Sequence, residues 1–358
     1  MSENLQYIWL EEERLLLSDF ISLARARRET EQLEWKKEIF SFVDYWFGDE
    51  ALCSVHTSGS TGIPKKLEFE KWQFKYSAKQ TIKYFGLRKN SIALLSLPVK
   101  YIAGKLMLAR VFESGMNLLI QEPAVNPVKG LKHEIDFAAL TPHQLTTALA
   151  NPGDLDCIKT MIIGGEAVSD YLLSKLQSLK TKCYSTYGMT ETLTHVAVKS
   201  LNHPRENFFR AFEGVHLSID DRACLIIDAP YLKQEVVTND MVKLLSDNRF
   251  RWLGRVDHVI NTGGIKIVPE KVERKIELLL EENLIICGLP DDLLGKRVIL
   301  VLEKDSFSGN DEELLKQKLE TVLEVYERPK RIHFLPRFVY TSNGKINRSQ
   351  TINLLMNK

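Results

Sequence analysis

The chain has 358 residues, a length that suits two domains better than one. With 44% apolar and 27% charged residues it is neither disordered nor fibrous. Lys+Arg 48 against Asp+Glu 47 leaves a formal charge of +1, so no domain-wide cationic excess exists to bind nucleic acid. The start, Met1-Ser2-Glu3-Asn4, leads into acidic residues rather than the basic-then-apolar order of a signal peptide, and no apolar run reaches the ~18 residues of a membrane span. The five cysteines, at 53, 157, 183, 224 and 287, form no C-x-x-C pair and read as reduced thiols of a cytoplasmic protein.

The front of the chain predicts helices over 5–47. Leu10, Leu15, Leu16, Phe20 and Leu23 recur at three- and four-residue steps, as do Leu33, Trp35, Ile39, Phe40, Phe42 and Val43. From 51 to about 187, short apolar runs (51–55, 92–97, 118–120, 137–140, 161–163) alternate with amphipathic stretches (70–84, 142–150, 169–179). That alternation predicts a layered α/β domain with a largely parallel sheet. Between 197 and 255 short β-rich pieces follow one another, predicting an antiparallel or barrel-like subdomain. The remainder reads as a small α+β domain, giving a division into 1–254 and 255–358 joined by a short hinge.

Thr57-Ser58-Gly59-Ser60-Thr61-Gly62-Ile63-Pro64-Lys65-Lys66 follows a predicted strand. Its glycines and hydroxyls make a donor-rich loop able to wrap an anion, with Lys65 or Lys66 supplying charge. It is not the P-loop of ATPases, because Pro64 stands where Gly-Lys-Ser/Thr would be needed. Further along stand Gly164-Gly165-Glu166-Ala167, Tyr187-Gly188-Met189-Thr190-Glu191-Thr192, Val237-Thr238-Asn239-Asp240, Gly254-Arg255-Val256-Asp257, Gly263-Gly264-Ile265-Lys266 and Asn343-Gly344-Lys345-Ile346-Asn347-Arg348.

In this order the segments resemble the motifs of the adenylate-forming superfamily, which includes acyl-CoA synthetases, peptide-synthetase adenylation domains and luciferases. The resemblance covers 57–348 and implies ATP, Mg²⁺ and CoA as reactants and cofactor. It assigns Thr57, Ser58, Gly59, Ser60, Thr61, Gly62 and Lys65 to the phosphates, and Gly164, Gly165, Glu166, Tyr187 and Gly188 to adenine. Asp240 and Arg255 fall to the ribose, with Asn239 replacing the usual glycine and able to take a left-handed turn. Glu191 would hold Mg²⁺, Thr190 would touch the α-phosphate, and Lys345 would bridge the anionic carboxylate and phosphate where charge develops. Asp257 would be the hinge, and Gly263, Gly264 and Lys266 would face the thiolation site.

Segments 97–105, 189–197 and 251–273 look most like the o-succinylbenzoate–CoA ligases of menaquinone biosynthesis. That substrate keeps a second, ring-borne carboxylate whose burial needs donors or a cation. Lys100, Lys105, His143, Thr192 and His195 are the candidates. A ligase for another aromatic acid and a nucleotide-binding regulator without turnover are the alternatives. Only 56 residues precede Thr57, fewer than the superfamily usually carries there.

Overall fold

A computed structural model describes residues 5–56, 66–280, 282–306, 309–341 and 346–356. Thr57, Ser58, Gly59, Ser60, Thr61, Gly62, Lys65 and Lys345 therefore lie outside the described residues.

The front differs from the all-helical expectation. It opens with a hairpin, β1 (Tyr7–Leu10) and β2 (Glu13–Leu16), before α1 (Leu17–Arg27) and α2 (Glu34–Phe47). Glu11 turns the chain with φ 56°, and Ile8 and Leu10 alternate into the core while β1 pairs in parallel with β6 (Asn117–Ile120). The leucine spacing conceals that period-two alternation, and a run rich in aromatic and β-branched residues favours the strand.

Next, β3 (Leu52–His56) and β4 (Lys66–Glu70) pair antiparallel, His56 opposite Lys66. Then come α3 (Lys71–Phe85), β5 (Ile92–Leu95), α4 (Ile102–Ser114), β6, β7 (Ile135–Leu140), α5 (Pro142–Ala148), β8 (Ile158–Ile163), α6 (Asp170–Leu176) and β9 (Lys182–Gly188). β5 pairs in parallel with β6 on one side and β7 on the other, and β7, β8 and β9 continue in parallel. These strands are nearly continuous apolar runs because helices cover both faces.

The β-rich segment does not close a barrel. β10 (His195–Ser200), β11 (Phe209–Ala211), β12 (His216–Ile219), β13 (Cys224–Asp228), β14 (Val236–Ser246) and β15 (Arg249–Arg255) add antiparallel strands to the same sheet. The sheet reaches 13 strands in the order β12-β13-β14-β15-β11-β10-β9-β8-β7-β5-β6-β1-β2. Asn239 lies extended inside β14, so this position requires no left-handed turn, and its side chain accepts from Arg222 at 3.1 Å.

After Arg255 no strand joins the large sheet among the described residues. β16 (Ile260–Thr262) and β17 (Ile265–Ile267) form a hairpin, followed by α7 (Pro269–Glu277). β18 (Leu284–Asp291), β19 (Gly295–Glu303), α8 (Gly309–Val322), β20 (Arg331–Leu335) and α9 (Arg348–Met356) complete the chain. β18, β19 and β20 form their own sheet with cores around Ile286 and Leu300 on one face and Ile285 and Val301 on the other. Among the described residues no helix is long and apolar enough to cross a membrane. All five cysteines are unpaired, four of them buried.

Candidate active site

Sequential parallel strands turn in opposite directions from β5, and ligand crevices form at the carboxyl ends of strands at such a switch point. A cavity of about 1140 Å³ lies there, lined by the turns after β5, β6, β7 and β8 and by one face of α4. Its far wall is built by β10, β11 and β15, with Arg274 of α7.

The turn after β8 lies flat against β9. Gly164 donates its N–H to the Leu140 carbonyl at 3.2 Å, and a Cβ there would sit 2.4 Å from Thr186 Oγ1. Gly188 is equally constrained, since a Cβ would meet the Thr194 carbonyl at 2.3 Å. Gly165 and Glu166 are exposed, and both line the cavity.

Tyr187 is the penultimate residue of β9, its ring edge-on to Phe250 with centroids 5.0 Å apart. Its hydroxyl donates to Asp240 Oδ2 at 2.7 Å, and Trp252 Nε1 donates to Asp240 Oδ1 at 3.1 Å. Burial, then the Asp240 charge, hold the Tyr187 hydroxyl protonated well above the ordinary phenol range. Arg255 Nη1 lies 3.8 Å from Asp240, while its Nε and Nη2 donate to Asp257 at 3.0 and 2.8 Å. Burial opposes ionisation of Asp257, but the Arg255 fork prevails and holds its carboxyl below the usual range. Tyr187, Trp252, Asp240, Arg255 and Asp257 thus form one hydrogen-bonded and ionic chain, running from the strand end to the first residues beyond the large sheet.

Thr190, Glu191 and Thr192 form a single 3-10 turn, after which Leu193, buried at the cavity wall, is held at φ 59°. A bulky residue at positive φ is a strained conformation that the surrounding packing must enforce. Thr190 lines the cavity. Glu191 is exposed and makes no hydrogen bond or ion pair among the described residues, so its oxygens are available to a hard cation. Thr192 is fully buried; its hydroxyl donates to the Thr194 carbonyl at 2.7 Å and accepts from Met189 N at 3.0 Å. It braces its own turn and does not line the cavity, correcting its place among the candidates for an acid substrate.

Other candidates for the second carboxylate move as well. Lys100 is exposed and away from the cavity, its backbone N–H donating to Glu38 Oε2 at 2.9 Å. Lys105 also lies off the cavity, its Nζ 5.4 Å from the Phe42 ring centroid. Burial lowers its pKa, partly countered by Cys53 and Glu38. His143 does line the cavity, exposed on the first turn of α5. His195 lines it too, buried, with Nε2 3.4 Å from Thr81 Oγ1 and Nδ1 3.4 Å from Thr194 Oγ1. Burial, reinforced by the charge of Arg110, pushes His195 well below its ordinary pKa, so it is a neutral imidazole and supplies no cation.

A cation does stand beside it: Arg110, a residue the motif reading passed over. It sits on α4, only 2% exposed, at the cavity wall, and its Nε has no partner. Burial alone lowers its pKa to about 9. The signal was present as an arginine inside the run Leu106-Met107-Leu108-Ala109-Arg110-Val111, every member of which is buried. A charge in such a run is seldom buried without a counter-ion.

Gly263 and Gly264 form the turn between β16 and β17, where Gly263 donates to the Leu294 carbonyl at 2.9 Å and Lys266 is exposed. None of the three lines the cavity in this arrangement. On either side of residues 342–345, Tyr340 forms a β-bridge with Ile346, and Asn347 N–H donates to the Val339 carbonyl at 2.7 Å. Arg348 is partly buried between the Glu273 carboxylate, at 2.5 Å, and the Ile286 carbonyl. Lys66 pairs with Glu68 at 2.8 Å rather than standing free.

Residues 15–222 match the family described as AMP-binding enzyme. The chain is similar to the 2-succinylbenzoate–CoA ligase of Escherichia coli K12, 26% identical over 315 residues that cover 83% of this chain and 68% of that protein. It is also similar to the solved acyl-CoA synthetase (AMP-forming)/AMP-acid ligase II-like protein of Dyadobacter fermentans, at 34% identity and a TM-score of 0.62. That match covers 93% of this chain and 98% of the other, so the two correspond almost end to end. The o-succinylbenzoate coenzyme A synthetase of Bacillus subtilis, solved with ATP and magnesium, matches at a TM-score of 0.71 and 20% identity over 84% of this chain and 69% of its own.

Proposed function

The chain belongs to the AMP-binding enzyme family, and from that premise we propose that it activates o-succinylbenzoate with ATP and passes the acyl group to CoA. In the first step a carboxylate oxygen of the succinyl arm attacks the α-phosphorus, giving acyl-adenylate and pyrophosphate. In the second the CoA thiol attacks the acyl carbon and AMP leaves.

What carries the substrate assignment is Arg110. An arginine buried at the wall of a cavity, without a hydrogen-bond partner at Nε, is costly unless a carboxylate completes it. The ring carboxylate of o-succinylbenzoate is such a group, and a guanidinium can hold it through two parallel hydrogen bonds. His195 stands beside it as a neutral imidazole, and His143 stands at the wall. The second carboxylate of the substrate thus meets the unmatched charge, while the succinyl arm remains free to react.

The remaining roles follow the motif positions. Gly164, Gly165, Glu166, Gly188 and Tyr187 frame adenine, and Asp240 with Arg255 accepts the ribose. Thr190 meets the α-phosphate. Mg²⁺, held through the free Glu191 carboxylate, would neutralise phosphate charge. Thr57, Ser58, Gly59, Ser60, Thr61, Gly62 and Lys65 hold the phosphates and Lys345 bridges the reacting anions. We place the division between a nucleotide-and-acid domain, 1–254, and a lid, 255–358, with Asp257 as the hinge and Gly263, Gly264 and Lys266 serving the thiolation step. The change of sheet after Arg255 supports that division. The assigned location is the cytoplasm and the pathway menaquinone biosynthesis.

The test is pyrophosphate release with o-succinylbenzoate, Mg-ATP and CoA, with the thioester identified by mass. Turnover with o-succinylbenzoate and at least a hundredfold lower kcat/KM for benzoate is the expected result. Equal turnover of benzoate would overturn the substrate, and ATP binding without pyrophosphate release from any acid would favour a regulator.

A further inference from the structure

The turn that carries Thr190 and Glu191 is strained at its far end. Leu193 is fixed at φ 59° and ψ −41°, and Thr194 N–H donates across it to the Thr192 carbonyl at 2.6 Å. That geometry is close to the γ-turn with positive φ, which is rare and unfavourable for a bulky side chain. Such a conformation persists only where its surroundings enforce it.

One side of the turn rests on β9. A Cβ at Gly188 would meet the Thr194 carbonyl at 2.3 Å and His195 Cα at 2.5 Å, so backbone lies directly on backbone there. The other side is held by Tyr231, from the segment between β13 and β14. Its hydroxyl donates to the Thr192 carbonyl at 3.1 Å, so that oxygen accepts two donors, one of them the γ-turn's own. Burial, then Tyr76, pushes the Tyr231 hydroxyl above the ordinary phenol range, and it remains a donor.

Tyr231 is itself fixed. It is only 2% exposed, its ring lies 5.3 Å from that of Tyr76, and its carbonyl accepts from Gln73 Nε2 at 2.6 Å. The other atom of the Gln73 amide, Oε1, accepts from Glu70 N at 2.7 Å. Glu70 is the last residue of β4, and Gln73 stands in the first turn of α3. Hydrogen bonds therefore run without a break from the end of the β3–β4 hairpin, through Gln73 and Tyr231, to the Thr192 carbonyl. Neither Tyr231 nor Gln73 lines the cavity.

The two segments joined in this way serve one group in the ligase reading above, on which the inference rests. β3 and β4 flank the phosphate-loop sequence, and the turn carries Thr190 and Glu191. We infer that Tyr231 is a positioning residue for the activation step. With Gln73 it holds the Thr190–Glu191 turn, through the Thr192 carbonyl, in register with the hairpin, so that both face the same triphosphate.

Tyr231→Phe deletes the hydroxyl and keeps the ring, leaving the Thr192 carbonyl with the γ-turn donor alone. With the full chain, kcat for pyrophosphate release from o-succinylbenzoate is expected to fall about tenfold, the effect of one lost hydrogen bond at an enforced turn. Thioester formation from supplied acyl-adenylate, which needs no triphosphate, should change less than about twofold. Calorimetry gives a readout apart from turnover. Kd for Mg-ATP should rise about fivefold in the variant, and Kd for metal-free ATP less than about twofold, because the misplaced group is the Glu191 carboxylate. Gln73→Met frees the Tyr231 backbone but keeps its hydroxyl, and should give the same split in smaller measure. Melting curves establish that each variant is folded. Wild-type rates and Mg-ATP affinity in folded Tyr231→Phe would overturn the inference. Equal loss of both steps would make Tyr231 structural and overturn it as well. If the wild type releases no pyrophosphate with any acid, the ligase reading fails in the wild type itself and the inference fails with it.

Discussion

The two ends of the cavity are built on opposite principles. At one end the Asp240 carboxylate already accepts from Tyr187 and Trp252 and lies beside Arg255, so it is held in place before any ligand arrives. At the other, Arg110 is buried with its Nε unpartnered beside a neutral His195. The difference teaches where binding energy is stored. In the proposed assignment the nucleotide end is preorganised by internal hydrogen bonds, whereas the acid end keeps an unmet charge for a substrate anion to complete.

Removing Arg110 should break that contrast most strongly. Arg110→Met is expected to lower kcat/KM for o-succinylbenzoate about a thousandfold, on the order of 4 kcal/mol for truncating one side of a buried charged pair. The same variant should melt no lower than the wild type, because it deletes a buried charge without a partner. A loss of stability with unchanged kcat/KM would make Arg110 structural.

Asp240→Asn addresses the other end and should cost both function and fold. KM for ATP is expected to rise roughly tenfold or more, with about 1–2 kcal/mol of stability lost as a charged acceptor of two donors becomes a neutral one. KM for o-succinylbenzoate should stay within about twofold. Equal rises in both would show that the two ends are not separable.

A smaller effect follows from His195. Its folded pKa lies below the ordinary value of 6.5, so below that pH the unfolded chain binds a proton that the folded chain does not. Stability should therefore fall as pH drops below about 6.5 and be fully present above it. Denaturant melts at pH 5.5 and 7.5 should show this loss, and His195→Gln should reduce it. The smallest effect expected is that of Lys105→Ala on KM for o-succinylbenzoate, within about twofold, since Lys105 packs on Phe42 away from the cavity. A large rise would restore Lys105 to the acid pocket.

How much of this was legible in the sequence depended on which residues carry a local pattern. The alternating runs from 92 to 163 became β5 to β8 because helices on both faces demand continuous apolar strands. The β1–β2 hairpin was not legible, since its leucines fall by coincidence at helical spacing while its partner, β6, lies about a hundred residues away. Motif positions led to Gly164, Tyr187, Asp240 and Arg255, whose surroundings are set by backbone turns and strand ends. Lys105 stands among the candidates for the second carboxylate by its charge at a predicted helix start, but the fold packs it on Phe42. Five residues separate it from Arg110, which on an α-helix is about 140° of rotation, so the two cannot share a face. Arg110 is the one of the pair inside an unbroken buried run.

The central claim, that the Arg110 guanidinium meets the ring carboxylate, is tested most directly by a double-mutant cycle of kcat/KM. Its arms are wild type and Arg110→Met, each with o-succinylbenzoate and with the same acid lacking the ring carboxylate. The account predicts that deleting the carboxylate costs the wild type about a thousandfold and Arg110→Met less than about fivefold. The same penalty in both proteins would contradict it.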